Sequence, residues 1–158
     1  MKLSNPLKVA LCIIGCEAAG MIGTIFTISA IPTWYATLAK PALNPPNWIF
    51  GPVWTTLYAL MGIAAFLIWK KGIEKKEVKN ALKVFGLQLV LNMIWTPVFF
   101  GLKNLGAAYA IIVAMWVTII WTMIKFYKIN RTATYLLIPY ILWVSFAAYL
   151  NLSIWTLN

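Results

Sequence analysis

The sequence predicts an all-α integral membrane protein, a bundle of five transmembrane helices with a long proline-rich loop between the first and second. Three observations carry this reading. Of 158 residues, 63% are hydrophobic and only 10% charged, and the mean hydropathy is +0.84. Soluble domains carry roughly 25% charged residues, so a water-facing surface could not be covered. Five apolar runs, each near the ~20 residues that cross a bilayer as a helix, occupy most of the chain and leave no room for a separate soluble domain. Finally, the basic residues cluster between the runs, as topology signals do. The net charge of +10 therefore reads as membrane orientation and not as a nucleic-acid surface.

The first run, 7–28, follows Lys2 and Lys8, a beginning that resembles a signal peptide. It continues past Gly20 to Ile28, long enough to span, and shows no small-residue cleavage site followed by a soluble domain. Cys12 and Cys16 lie one turn apart within it. That spacing is poor for a disulfide, and a chain with no His or Asp offers few metal ligands, so both read as packing residues. Glu17 shares a face with Ile13, Gly20 and Thr24. An acid near a helix centre costs about 3 kcal/mol on insertion scales, so it should face the bundle interior, protonated or bonded to hydroxyls or backbone, in a structural or a functional role. The opposite face carries Gly15, Ala19 and Gly23, a small-residue stripe for close helix packing or a dimer contact.

The connection 29–47 is the longest, and with the start of the second run it holds Pro32, Pro41, Pro45, Pro46 and Pro52. Prolines restrict the backbone, which favours a rigid cap. The second run, 48–69, aligns Trp54, Tyr58, Met61 and Ala65 on one face. After a lysine-rich connection, the third run, 81–101, places Gln88, Asn92, Trp95 and Phe99 in one stripe. A KNLG turn leads to the fourth run, 105–127, with Trp116 near its middle, and a KINRT turn to the fifth, 134–155, which aligns Tyr140, Trp143, Ala147 and Asn151. All five must be helices, because every backbone group in hydrocarbon needs an internal partner.

Five spans put the termini on opposite sides. Lys2, Lys8, Lys70, Lys71, Lys75, Lys76, Lys79, Lys83, Lys125, Lys128 and Arg131 fall on the side of the N-terminus, and only Lys40 and Lys103 on the other. By the positive-inside rule the N-terminus is cytoplasmic and the proline-rich loop lies outside, in a cell membrane. Trp34, Tyr35, Trp48, Trp69, Tyr127 and Trp155 sit near the ends of runs and suit an interfacial aromatic belt. Trp54, Trp95, Trp116 and Trp143 lie deeper and suit either core packing or a ligand site.

The interior so read is aromatic, with a few amides and one acid. It offers no nucleophile with a base, no paired carboxylates, no phosphate loop and no metal or intrinsic cofactor site. Such a lining suits a flat, hydrophobic ligand stacked on indole rings.

Three blocks carry a family resemblance: WYATLAKPALNPPNWIFGPVWTTLYALMG at 34–62, LQLVLNMIWTPVFFG at 87–101 and PYILWVSFAAYLNLSIW at 139–155. In these blocks the chain resembles the translocator protein family, also called tryptophan-rich sensory proteins or peripheral-type benzodiazepine receptors. The resemblance implies a five-helix bundle, often a homodimer, that binds porphyrins such as protoporphyrin IX and haem as ligands, together with isoquinoline carboxamide and benzodiazepine drugs. Some bacterial members are reported to degrade protoporphyrin in light through two tryptophans, which match Trp54 and Trp143. The implied ligand pocket adds Asn92, Ala147 and Leu150, beneath Pro45 and Pro46. With Tyr58 and Trp95 from the helix stripes, these nine residues form the candidate ligand site. The expected function is a tetrapyrrole receptor, with a light-dependent porphyrin-degrading enzyme as the alternative and a porphyrin or sterol transporter behind both. Animal members bind sterol through a tyrosine followed four residues later by an arginine. Leu152 and Thr156 stand in those positions here, so sterol is not an expected partner.

Overall fold

Each of the five apolar runs forms a long helix in the computed structural model, which describes residues 4–158; Lys2 lies outside them. We label the helices α1 (Asn5–Ala30), α2 (Phe50–Trp69), α3 (Lys76–Thr96), α4 (Leu105–Tyr127), the one-turn α5 (Arg131–Tyr135) and α6 (Ile138–Leu157). The five stretches long and apolar enough to cross a membrane are Asn5–Tyr35, Asn47–Trp69, Lys76–Gly101, Leu105–Tyr127 and Arg131–Leu157. The protein is an integral multi-pass membrane protein.

Local chemistry sets most boundaries. Asn104 caps α4, its side chain accepting from the Ala107 amide (2.9 Å), and Asn130 does the same for α5 through Ala133 (3.2 Å). Such caps satisfy amides that the first turn leaves unpaired. Past the end of α2, Gly72 adopts φ 109°, a left-handed conformation that glycine enters without steric cost.

The expected boundaries differ from the structure chiefly at the first span. The predicted loop began at residue 29, yet Ile31–Tyr35 continue the helix as a π-type turn. Pro32 lacks the amide that a regular turn requires, and widening the turn accommodates it, as local π adjustments do in membrane helices. The Thr33 hydroxyl also donates to the Ser29 carbonyl (2.6 Å). Pro97 is absorbed the same way in Pro97–Gly101, where the Leu102 amide reaches the Pro97 carbonyl (2.8 Å). The loop is accordingly confined to 36–46. The third helix starts at Lys76 instead of 81, because Glu77 suits a helix N-terminus and Val78 and Ala81 are buried against the bundle.

Packing gathers Tyr58, Met61, Ile68, Phe85, Ile112, Met115, Phe126 and Tyr140 into a main core, and Tyr35, Phe99, Ala108 and Ile154 into a smaller one beneath the loop. α1 and α2 approach closely at Gly62, where an added Cβ would stand 2.5 Å from Ile13 Cα. Only backbone lies there to yield. Gly62→Val is therefore expected to cost about 2–3 kcal/mol and lower the thermal midpoint in detergent by about 5–10 °C, readable by circular dichroism.

The small-residue stripe of α1 divides. Ala19 and Gly23 are buried within the bundle, Gly23 against Thr96, whereas Gly15 is exposed with no neighbour near its Cβ position. Gly23 and Glu17 moreover line the same cavity, so the stripe does not form a face opposite Glu17. Two aromatic assignments also change. Tyr35 belongs to the loop-side core, 5% exposed, because the loop folds over it: its hydroxyl donates to Asn44 Oδ1 (2.9 Å) and Lys40 Nζ sits 4.7 Å from its ring. Trp116 faces outward at 39% exposure, and its indole N–H donates to Ser145 on α6 (2.9 Å).

Candidate ligand cavity

At the loop end of the bundle, α1, α2, α3 and α6 enclose a cavity of about 440 Å³. It runs from a rim at Ile31, Asn47, Trp48 and Phe100 down to Glu17 and Tyr58. Helical periodicity explains who lines it. Residues three or four apart share a face, so Glu17, Gly20, Thr24, Thr27 and Ile31 form the α1 wall, and Trp54 and Tyr58 the α2 wall.

Of the nine candidate ligand residues, Trp54, Tyr58, Asn92, Trp95, Trp143, Ala147 and Leu150 all line this cavity. Pro45 and Pro46 do not. They lie in the loop above, where the Pro46 carbonyl accepts from the Ile49 amide (3.0 Å) and starts the turn Asn47–Ile49. That turn brings Asn47 and Trp48 to the rim. Glu17 reaches the wall half-buried, and among the described residues no side chain pairs with it.

A buried polar chain holds the floor. Tyr58 donates from its hydroxyl to Asn92 Oδ1 (2.6 Å), Asn92 Nδ2 donates to the Tyr140 hydroxyl (2.9 Å), and Tyr140 donates to Gln88 Oε1 (2.7 Å). One amide thus ties α2, α3 and α6 together. Higher up, the Trp95 indole donates to Asn151 Oδ1 (3.1 Å), whose amide nitrogen donates to the Leu105 carbonyl (2.9 Å). These bonds fix rings whose faces border the cavity. Trp54 lies nearly parallel to Tyr58, with centroids 5.5 Å apart and planes inclined by 28°, and meets Tyr140 edge-on at 6.3 Å. Gly20 makes this arrangement possible, since an added Cβ would collide with the Tyr58 ring.

The loop is latched from the far end of the chain. Asn158 Oδ1 accepts from the Ala39 amide (3.0 Å), and its Nδ2 donates to the Ala39 carbonyl (3.0 Å) and to Ile154 O (2.8 Å). Nothing in the local sequence signals a contact between residues 119 apart. Asn158→Ala is expected to speed amide hydrogen exchange at Ala39 about five- to tenfold, the loss of roughly one net hydrogen bond, while the bundle amides keep their protection.

Chemically, the cavity offers indole and phenol faces, three primary amides, four threonine hydroxyls and one carboxyl. Among the described residues no group of three His, Cys, Asp or Glu could hold a metal. Comparison with known proteins now decides the family. The TspO/MBR family model matches residues 12–156. The chain belongs to the TspO/MBR family. It is 43% identical over 152 residues to the tryptophan-rich protein TspO of Chlorobaculum tepidum, covering 96% of each chain. It is 40% identical over 154 residues to that of Archaeoglobus fulgidus, covering 98% of this chain and 99% of the relative. It is also 36% identical over 147 residues to the human translocator protein, covering 92% and 84%. The cavity wall thus draws on all three sequence blocks by which the family resemblance was read.

Proposed function

We propose that this protein is a membrane receptor for tetrapyrroles such as protoporphyrin IX and haem, bound in the cavity under the loop, and that isoquinoline and benzodiazepine-type drugs occupy the same space. The observation that carries the reading is the convergence of Trp54, Trp95, Trp143 and Tyr58, from three helices, on one cavity of about 440 Å³. That volume falls within the roughly 300–1,000 Å³ of small-molecule sites, and such sites are mostly apolar with a few placed polar groups. Aromatic faces add stacking energy beyond the area they bury. The macrocycle is the ligand, and no intrinsic cofactor is invoked.

The proposal extends to a cell membrane with the N-terminus in the cytoplasm, supported by the asymmetry of basic residues, and to a homodimer. The outer face of α1 is the natural contact for a second copy: Ile14, Ile25 and Ile28 are each 64% exposed or more and lie outside the cavity lining. Sterol does not belong to this ligand set, because Leu152 and Thr156 stand where the animal motif has tyrosine and arginine.

One arrangement favours the enzymatic reading as a second choice. The oxidisable pair Trp54 and Tyr58 is stacked and joined by hydrogen bonds to Tyr140, and would lie beside a photoexcited porphyrin. Illumination of the complex separates the two readings. A receptor keeps the porphyrin absorbance, apart from the bleaching seen with free porphyrin. An enzyme converts it to new product bands, and Trp143→Phe abolishes the conversion.

A further inference from the structure

The internal cavity is not the only concavity that Trp143 borders. Between α2 and α6, on the outer surface, runs a groove of about 650 Å³ lined by Pro52, Thr56 and Leu60 on one side and Pro139, Leu142 and Phe146 on the other. Its floor includes Trp143, which also lines the cavity. A single side chain therefore belongs to both spaces. α1 packs tightly on α2, and α4 on α6, but α2 and α6 barely touch. The groove is apolar and lies at the level of the spans; Leu142, on its edge, is 64% exposed. In the membrane this opening faces hydrocarbon, not water.

Three features distinguish the setting of Trp143. Its indole N–H is buried without a hydrogen-bond partner, whereas those of Trp95 and Trp116 are anchored to Asn151 and Ser145. A buried N–H left unpaired is costly, and no bond opposes turning the ring. The ring also lies between two aromatic neighbours, Phe50 on the cavity side (5.9 Å, edge-on) and Phe146 on the groove side (5.7 Å). Such contacts hold a ring by packing and quadrupole attraction, without the tie of a hydrogen bond. Finally, its neighbour one turn on is Ala147, which lines the cavity and is small.

We propose that the α2–α6 groove is a lateral entrance, through which a flat apolar ligand dissolved in the bilayer passes into the cavity, with Trp143 as the partition that turns to admit it. The proposal rests on the receptor reading above for the ligand's identity. The chemistry favours this route: a hydrophobic macrocycle partitions into acyl chains, and the loop that covers the aqueous end is latched by Asn158 and by the Tyr35–Asn44 bond. A gate alters the rates of entry and exit together and leaves the equilibrium alone.

The test uses the full chain in liposomes and two residues that line the groove but not the cavity, Thr56 and Phe146. Thr56→Phe should narrow the entrance and Phe146→Ala should widen it. Protoporphyrin IX preloaded in the lipid is followed in the dark by tryptophan quenching. The expected result is association and dissociation both slowed about fivefold in Thr56→Phe and both accelerated in Phe146→Ala, with Kd within twofold of wild type. Saturable binding with rates that neither change moves, but that Asn158→Ala does, would overturn the lateral route in favour of the loop end. Lipids brominated on the acyl chain give a readout that needs no ligand. They should quench a tryptophan component that Trp143→Phe removes and Thr56→Phe protects. If no porphyrin binds, the receptor reading fails, and this second readout still decides the groove: a Trp143 that acyl bromines do not reach would sink the entrance as well.

Discussion

Asn92→Ala is expected to be the most damaging single polar substitution in the bundle. Asn92 is 4% exposed and serves two tyrosines at once, accepting from Tyr58 on α2 and donating to Tyr140 on α6. Interhelical hydrogen bonds in membranes average only about 0.6 kcal/mol, because the separated helices also find partners. Here one truncation leaves a hydroxyl without its acceptor, another without its donor, and a void between them. Each orphaned group costs about 1–3 kcal/mol, so a net loss of about 2–3 kcal/mol is expected. For a chain of this size that corresponds to a fall of roughly 5–10 °C in Tm. Tyr58→Phe should cost clearly less, since it leaves the Asn92–Tyr140 bond intact. Equal losses in the two variants, or none in Asn92→Ala, would show that the chain of amides and phenols does not hold the floor.

Trp54→Ala carries the largest expected effect on binding. Trp54 is half-buried at the cavity wall and lies nearly parallel to Tyr58, so its removal takes away a stacking face while leaving the main core filled. Losing most of an indole's contact with a flat ligand should cost about 2 kcal/mol, or roughly 30-fold in Kd. Stability should change little by comparison. A Trp54→Ala protein that bound porphyrin as tightly as wild type would show that the ligand sits elsewhere.

The two effects separate what the sequence made legible from what it did not. The stripes on the second, third and fifth spans could be read because a 3.6-residue period places Gln88, Asn92, Trp95 and Phe99 on one face whatever that face meets. Structure then put Asn92 against Tyr58 and Tyr140, and Trp95 against Asn151. Seven of the nine candidate ligand residues share one cavity for the same reason. The helix end at Tyr35 was not legible, since Pro32 signals termination by every local rule and only the π-type turn carries the helix past it. Nor was the burial of Tyr35, because its position near a span's end fits an interfacial belt as well as a covered core. The Asn158 latch on Ala39 depends on two segments that meet only in the folded bundle. Trp116 shows the reverse failure: depth along a helix says nothing of which side the ring faces.

The proposed stacking of a flat tetrapyrrole between the second and fifth membrane helices can be checked by one titration. Detergent-purified protein is titrated in the dark with protoporphyrin IX while tryptophan fluorescence is followed, with Trp54→Phe and Trp143→Phe alongside. Saturable quenching at micromolar concentration or below is expected, weakened severalfold by each substitution. Quenching that never saturates, or saturable binding that neither substitution weakens, would contradict it.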